Sequence, residues 1–170
     1  MTDAAPRPLI VVMGVSAAGK SSIGHEMARA LEVSFVDADD LHPPENVAKM
    51  AAGVALDDHD RGPWLDAVGR QLAQSTGVVI ACSALKRAYR DRLRLSAPSV
   101  IFVHLHGTHD VLATRAAKRK DHFMPPTLLL SQLDTLERLG TDEAGIEIDV
   151  DAPVDEITGT ALEWVDAHAR

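Results

Sequence analysis

Short apolar runs recur along the chain, and each is nearly continuous rather than alternating with polar residues. Four of these runs are rich in β-branched residues, at positions 9–13, 78–82, 99–105 and 146–150, and a weaker one lies at 34–37. Strands that are apolar on both faces are typical of a parallel sheet covered by helices on both sides. The pattern therefore predicts a five-stranded parallel sheet.

The segments between these runs have helical spacing. In residues 21–31, Ile23, Met27 and Leu31 share one face, and residues 63–74 open with a proline, which a helix tolerates in its first turn. Further helices are predicted at 84–95, 110–119 and 154–168. Strands that alternate with helices imply right-handed crossovers, so the predicted fold class is a doubly wound α/β sheet with helices on both faces.

Two segments do not fit this alternation. Residues 120–138 lack a strand pattern and contain two consecutive prolines, which indicates a mobile lid with a short helix rather than a second domain. Residues 1–8 combine polar residues with two prolines, so a flexible tail is expected there. The 170 residues are otherwise predicted to form one domain.

The segment that follows the first predicted strand reads GVSAAGKS, from Gly14 to Ser21. It fits the P-loop pattern G-x-x-x-x-G-K-[ST], in the strand-to-helix context that the pattern requires. Glycines let backbone N–H groups turn toward a phosphate, Lys20 reaches the β- and γ-phosphates, and the Ser21 hydroxyl is a ligand suited to Mg²⁺. The alanine at position 17 is expected to have a negative φ. The predicted ATP-binding residues of the loop are Gly14, Ser16, Ala17, Ala18, Gly19, Lys20, Ser21 and Ser22.

Two carboxylates, Asp37 and Asp39, follow the second predicted strand. Ligands of open α/β sheets bind outside the carboxyl ends of the strands, so both side chains are expected to face the P-loop. One of them can hold a water bound to Mg²⁺ while the other accepts the proton of an attacking hydroxyl. The alternative interpretation is an acidic helix cap.

Five segments of the chain resemble the gluconokinase family, a branch of the shikimate-kinase-like P-loop kinases. They read GVSAAGKSSIG, DADDLHPPENVAKMAAGVALDDHDRGPWL, ACSALKRAYRDRLR, FVHLHG and RKDHFMPPTLLLSQLDTLE, and they cover most of the chain. The resemblance implies ATP-dependent phosphorylation of the 6-hydroxyl of D-gluconate. It also implies that Asp39 is the base, that Asp37 supports Mg²⁺ through water, and that the protein is a cytoplasmic homodimer.

A sugar acid carries a carboxylate and many hydroxyls, so its pocket needs cations and polar groups. Arg61, Lys86 and Arg90 are the available cations within the similar segments, and arginine suits bidentate binding of a carboxylate. The sequence does not decide which of them meets the carboxylate. Long basic side chains also commonly lie on a solvated face. Further polar contacts are predicted from His42, Lys49 and Ser83.

Basic residues cluster just before the predicted lid, at Arg115, Lys118, Arg119 and Lys120. The resemblance implies that Arg115 packs on adenine, that Arg119 approaches the phosphates as a catalytic cation, and that the segment ending at Pro153 cradles the adenine. It also implies that His122 of the lid reaches the sugar acid. The alternative is a basic helix end that complements the helix dipole.

Composition narrows the possible partners. The formal net charge is −8, which disfavours nucleic acid or an anionic membrane as the main partner, and a single cysteine, Cys82, excludes a disulfide framework within the chain. Two other functions stay open at this point. One is a kinase of the same fold that acts on shikimate, a nucleoside monophosphate or another acid, and the other is a module that senses ATP without catalysis.

Overall fold

The computed structural model describes residues 7–119 and 126–169. Within these ranges the strands are parallel members of a single sheet, and the predicted sheet is confirmed. Each observed strand begins and ends within two residues of its predicted bounds. The strands are β1 (Leu9–Met13), β2 (Ser34–Asp37), β3 (Val78–Ala81), β4 (Ile101–His106) and β5 (Gly145–Asp149).

The strands lie in the order β2-β3-β1-β4-β5, so β1 is central. Val11 of β1 pairs with Ile80 of β3 on one side and with Phe102 of β4 on the other. The carboxyl ends of all five strands meet at one edge of the sheet because the strands are parallel. The loops that follow β2 and β3 are therefore on one side of the P-loop, and those that follow β4 and β5 are on the other.

The described helices cover both faces of this sheet, as predicted for a doubly wound fold. They are α1 (Lys20–Leu31), α2 (Pro44–Ala51), α3 (Asp58–Gln74), α4 (Arg87–Ser96), α5 (His109–Ala117), α6 (Pro126–Thr135) and α7 (Val154–His168), and a 3-10 turn spans Ala38–Leu41.

Alternate residues of the central strand point into two separate hydrophobic cores. Ile10 and Val12 belong to one core, which is completed by side chains of α1, α5, α6 and α7. Val11 and Met13 belong to the other core, which is completed by α3 and α4. The two cores together explain why the strands are apolar on both faces.

Two predicted helix boundaries need correction, and one helix was not predicted. Helix α3 begins at Asp58, because Asp57 and Asp60 form a capping box there, and Pro63 lies inside the helix rather than in its first turn. Helix α4 begins at Arg87 rather than at residue 84, because Ala84 has a φ of +43°, which no helical residue adopts. Helix α2 was not predicted.

The tail and the lid are only partly within the described residues. Arg7 donates a hydrogen bond to the carbonyl of Glu32, and the carbonyl of Pro8 accepts one from the N–H of Val78. Arg7 and Pro8 therefore belong to the folded part of the chain, although the tail was predicted to reach residue 8. In the lid, the predicted short helix is present as α6. Residues 1–6 and 120–125 lie outside the description, and the mobility of the lid stays a prediction. Among the described helices, none has the length and apolar character needed to cross a bilayer.

Candidate active site

The P-loop connects the central strand β1 to helix α1, and two of its glycines have conformations that side chains rarely adopt. Gly14 has a φ of +147°, and a Cβ added to it would lie 2.5 Å from the carbonyl oxygen of Leu105. Gly19, the residue before α1, has a φ of +93°. The loop can therefore pass close to β4 and enter the helix with its N–H groups turned inward.

Ala17 lies in the same loop with a φ of +67°, so the expectation of a negative φ is wrong. This is the left-handed region, where an L-residue with a Cβ is strained by about 1–2 kcal/mol. The side chain is also buried, with 7% of its surface exposed. The loop accepts this cost because the backbone path of a phosphate cradle is fixed by its neighbours.

Replacing Ala17 with glycine tests this strain against a neighbour. Ala17→Gly and Ala18→Gly each remove one buried methyl group and each increase the freedom of the unfolded chain, but only Ala17 has a positive φ. We expect Ala17→Gly to have a free energy of unfolding about 1–2 kcal/mol higher than that of Ala18→Gly. Urea denaturation of both variants measures the difference, and equal stabilities would contradict the strained conformation.

Two side chains contact the first turn of the loop. The Nζ atom of Lys20 donates a hydrogen bond of 3.0 Å to the carbonyl of Val15, and the Oε1 atom of Gln132 accepts one of 2.7 Å from the backbone N–H of Ser16. Burial lowers the pKa of Lys20, while the nearby Asp39 carboxylate opposes this shift. Gln132 belongs to α6, so the helix of the predicted lid is fastened directly to the phosphate cradle.

Asp37 ends strand β2 and links the P-loop to the acidic turn. One of its carboxylate oxygens accepts from the backbone N–H of Asp39 at 3.0 Å, and the other lies 3.4 Å from the Ser21 hydroxyl. This carboxylate therefore caps the 3-10 turn, as the alternative interpretation predicts, and it also faces the P-loop. The Ser21 and Asp37 oxygens are hard donors of the kind that Mg²⁺ prefers, and they fit an ion that takes its other ligands from phosphate and water. Among the described residues, no group of three or more His, Cys, Asp or Glu side chains could enclose a metal by itself.

Asp39 lies close enough to Lys20 for the two charges to interact. Partial burial raises the pKa of the Asp39 carboxyl, the negative charge of Asp37 raises it further, and Lys20 opposes both effects. Arg119 is also near enough to lower the pKa of Lys20. The predicted base, the phosphate-binding lysine and the predicted catalytic arginine are thus gathered around one space.

A second cluster extends from Asp39 toward the start of α3. Arg61 and Lys86 both lie beside the ring of Tyr89, at 5.7 and 5.6 Å from its centroid. The hydroxyl of Tyr89 donates a short hydrogen bond to Asp58, and the Nζ atom of Lys86 lies 3.4 Å from the same carboxylate. The two cations therefore lie around an exposed carboxylate of the chain itself, at 3.4 Å for Lys86 and 3.9 Å for Arg61.

Arg90 is not part of this cluster, and its predicted contact with substrate is wrong. Its side chain is 0% exposed, and its guanidinium donates to both oxygens of Glu143 at 2.8 and 3.0 Å. The remaining donors bind the carbonyls of Ala84, Leu85 and Arg138. Arg90 therefore holds in place the loop that carries Ser83 and Lys86, and it has no donor left for a ligand.

Lys49 also differs from its predicted role, because its ammonium group binds both carboxylate oxygens of Asp60 at 2.8 and 2.9 Å. This ion pair ties α2 to the N-terminus of α3, so a contact of Lys49 with substrate gains no support. Ser83 lies at the predicted place after β3, and its carbonyl accepts a hydrogen bond from the N–H of Gly14.

The nucleoside side of the loop is an open cleft between α5 and the segment after β5. A cavity of about 600 Å³ is bordered by Arg115, Lys118 and Pro153, and the Nη1 atom of Arg115 donates to the carbonyl of Val150 at 2.7 Å. A smaller cavity of about 270 Å³ joins Arg115 to the P-loop, and its other lining residues include Ser22 and Arg119. The two cavities share Arg115 and Lys118 and so form one trench, and the predicted ATP-binding residues that line it are Ala17, Gly19, Ser22, Arg115 and Pro153.

Several residues of the site were not predicted from the sequence. Five such residues contact predicted site residues, namely Asn46, Asp58, Trp64, Tyr89 and Gln132. Helical periodicity alone indicates only that Trp64 and Tyr89 lie on helix faces. All five lie in the segments that resemble the gluconokinase family, so this resemblance was the signal that could have identified them. His122 and Lys120 lie outside the described residues.

Comparisons with known proteins agree with this geometry. The family model for shikimate kinase matches residues 16–144. A probable gluconokinase of Xenopus tropicalis is 46% identical, with 93% of each chain covered. The thermoresistant gluconokinase of Escherichia coli strain K12 is 41% identical, with 92% of this chain and 93% of the relative covered.

A solved structure extends the similarity to three dimensions. The crystal structure of a gluconokinase from Sinorhizobium meliloti 1021 superimposes with a TM-score of 0.90 at 49% sequence identity, over 97% of this chain and 94% of that one. Sequence identity at this level over nearly the whole length, together with the P-loop and the acidic turn that faces it, shows that the chain belongs to the gluconokinase family of shikimate-kinase-like P-loop kinases.

Proposed function

We propose that this protein is a gluconokinase that transfers the γ-phosphoryl group of ATP to the 6-hydroxyl of D-gluconate. The observation that carries the proposal is the acidic turn that faces the P-loop, where Asp37 lies 3.4 Å from the Ser21 hydroxyl and Asp39 and Lys20 are close enough for each to shift the pKa of the other. A base and a phosphate-binding lysine so placed can act on the two ends of a transferred phosphoryl group. The curated relatives named gluconokinase support gluconate as the acceptor.

The nucleotide is held by the backbone N–H groups of the P-loop and by the N-terminus of α1. Lys20 then has to exchange its bond to the Val15 carbonyl for one to a phosphate oxygen. Arg119 contributes a positive charge to the phosphate end of the trench, and Arg115 and Pro153 border the space for the adenine. These groups act mainly by positioning and by stabilising charge, as is usual in phosphoryl transfer.

Mg²⁺ is the proposed metal, with Ser21 as a ligand and Asp37 as a partner of a metal-bound water. When bound, it neutralises the negative charge that develops on the transferred group. Asp39 accepts the proton of the attacking hydroxyl, since its charge acts on Lys20 more strongly than that of Asp37, which is engaged with Ser21 and the N–H of Asp39.

The acceptor is proposed to lie between Asp39 and the cluster of Arg61, Lys86 and Tyr89. In the structure these cations are turned toward the exposed Asp58, and a substrate carboxylate can use the same charges. His42 and Ser83 supply polar contacts to the hydroxyls. A homodimer in the cytoplasm is proposed from the family resemblance.

The decisive experiment measures ADP release with Mg·ATP and a panel of acceptors. The panel contains gluconate, other aldonates, shikimate and nucleoside monophosphates. We expect release that depends on gluconate and falls by about 10²-fold or more in Lys20→Ala, because the lysine stabilises charge on the transferred phosphoryl group. Thermal unfolding of the variant checks that it is folded.

The panel also separates the alternatives. Release with shikimate or a nucleotide instead of gluconate would keep the kinase but reassign its acceptor. Tight binding of ATP without release for any acceptor would contradict the proposal and favour a module that senses ATP.

A further inference from the structure

His42 has a fixed ring position beside the proposed acceptor site. Its imidazole stacks on the indole of Trp64, with ring centroids 4.4 Å apart and planes 13° from parallel. Trp64 is itself held by a hydrogen bond of 2.7 Å from its Nε1 to the carbonyl of Ala38. The ring therefore cannot turn freely, and the protonation of its two nitrogens determines whether it donates or accepts a hydrogen bond with a ligand.

Asn46 determines the role of one of these nitrogens. Its side chain is buried, with 3% of its surface exposed, and its Nδ2 lies 2.9 Å from the carbonyl oxygen of Asp60 and 3.2 Å from Nδ1 of His42. A carbonyl oxygen only accepts, so the amide nitrogen must face it, and the second hydrogen of that nitrogen points to His42. Nδ1 of His42 is then an acceptor, which leaves the single ring proton on Nε2.

The carbonyl that orients Asn46 is itself fixed. Asp60 closes the capping box of α3 with Asp57, and its carboxylate binds Lys49 at 2.8 Å. The chain of contacts thus runs from the N-terminus of α3, through Asn46 of α2, to the ring of His42. This arrangement also gives a reason for the buried amide in a short helix that is otherwise largely exposed.

We propose that Asn46 is a positioning residue that holds His42 as the neutral Nε2–H tautomer, so that His42 donates a hydrogen bond to an acceptor hydroxyl while Asp39 accepts one. A carboxylate only accepts and this imidazole nitrogen only donates, so the pair matches the two hydrogen-bonding roles of a polyol. The identity of the acceptor rests on the proposed function, whereas the tautomer does not.

The charges around the ring are consistent with a neutral imidazole. Burial lowers the pKa of His42, the Asp39 carboxylate on the preceding turn opposes this, and the Arg61 guanidinium on α3 lowers it again. Asn46 on α2 is uncharged, and Trp64 covers one ring face. A second proton on Nδ1 would meet the N–H of Asn46 and break the contact.

Long-range ¹H–¹⁵N NMR of the histidine side chains tests the tautomer in the resting protein, with His42→Gln to assign the signal. We expect Nε2–H at neutral pH. In Asn46→Asp the carboxylate beside Nδ1 favours the imidazolium, so the pKa of His42 should rise by about 1 unit or more. A wild-type ring protonated on Nδ1, or a pKa of His42 that Asn46→Asp leaves unchanged, would overturn the proposal.

Kinetics test the contribution to acceptor binding. We expect Asn46→Leu to raise KM for gluconate by about 3- to 10-fold, the value of one neutral hydrogen bond, with KM for ATP unchanged. In a His42→Gln background, Asn46→Leu should raise KM for gluconate little further, because Asn46 acts through His42. Fully additive effects, or an equal rise of KM for ATP, would mean a merely structural role for Asn46.

Glu45→Gln, an exposed neighbour on α2, is the matched control and should leave both KM values unchanged. The two proposals can fail separately. An Nε2–H tautomer in a protein that never turns over gluconate would support the tautomer and contradict the proposed function.

Discussion

Asp39→Asn is expected to lower kcat for gluconate phosphorylation by about 10²- to 10⁴-fold, the range that a positioned general base contributes. The amide keeps the size and the polarity of the carboxylate but cannot take the proton of the attacking hydroxyl. Steady-state ADP release at saturating ATP and gluconate measures the loss. Binding of ATP should change little, because the P-loop residues that hold it are intact.

The pH dependence gives a second measure of the same group. Burial and the Asp37 charge raise the pKa of Asp39 above its ordinary value of 3.8, so the ionised base is lost at a higher pH than usual as the solution is acidified. The acid limb of kcat/KM in the wild type should therefore lie above pH 3.8. Asp40→Asn, on the exposed neighbour, is the control and should keep normal turnover. Normal turnover by Asp39→Asn would remove Asp39 as the base.

Arg90→Met is expected to lower the free energy of unfolding by about 3–5 kcal/mol, the cost of removing one partner of a buried ion pair. Glu143 would stay buried with Arg94 and the N–H of Gly140 as its remaining partners. The carbonyls of Ala84, Leu85 and Arg138 would also each lose a hydrogen bond, and among the described residues only that of Leu85 would keep a backbone donor, the N–H of Glu137. Urea denaturation of the protein without ligands measures the change.

Arg92→Met on the same helix is the matched control. Arg92 also binds a carboxylate with two hydrogen bonds, to Asp66, but the two side chains are 46% and 44% exposed. Such a surface pair contributes about 0–1 kcal/mol, so this variant should be nearly as stable as the wild type. Equal losses for the two variants would contradict a special role for the buried pair.

The buried pair also predicts how stability depends on pH. Burial alone would raise the pKa of Glu143, but hydrogen bonds from Arg90, Gly140 and Arg94 outweigh it and lower the pKa from 4.5 to about 2. The folded state then binds fewer protons than the unfolded state between these values. The stabilisation is therefore present above about pH 4.5 and is lost as the pH falls toward 2.

Local signals in the sequence were enough for the framework of the site. Five apolar runs predicted five parallel strands, and the P-loop motif between β1 and α1 placed the phosphate cradle at the carboxyl edge of the sheet. Asp37 and Asp39 were predicted to face that loop for the same reason, and they do so. These predictions succeeded because the strands and the P-loop each depend on residues that are adjacent in the sequence.

The errors arose where a residue's role depends on distant partners. Arg90 and Lys86 are both cations of one short segment, yet Arg90 turns inward to Glu143, which lies 53 residues further along the chain. Ala17 was expected to have a negative φ, but the passage of Gly14 beside β4 constrains the loop. No local pattern contains this information.

The sequence by itself determined the fold class, the nucleotide site and the family of this protein. It could do so because the apolar runs of the strands, the P-loop motif and the segments that resemble the family each consist of consecutive residues. Only the tertiary structure decided which polar groups are free to act. It paired Arg90 with Glu143 and Lys49 with Asp60, and it set Asn46 against His42. The physical reason is that a polar side chain is available to a ligand only if folding leaves its hydrogen bonds unfilled, and folding satisfies most buried polar groups with partners far away in sequence.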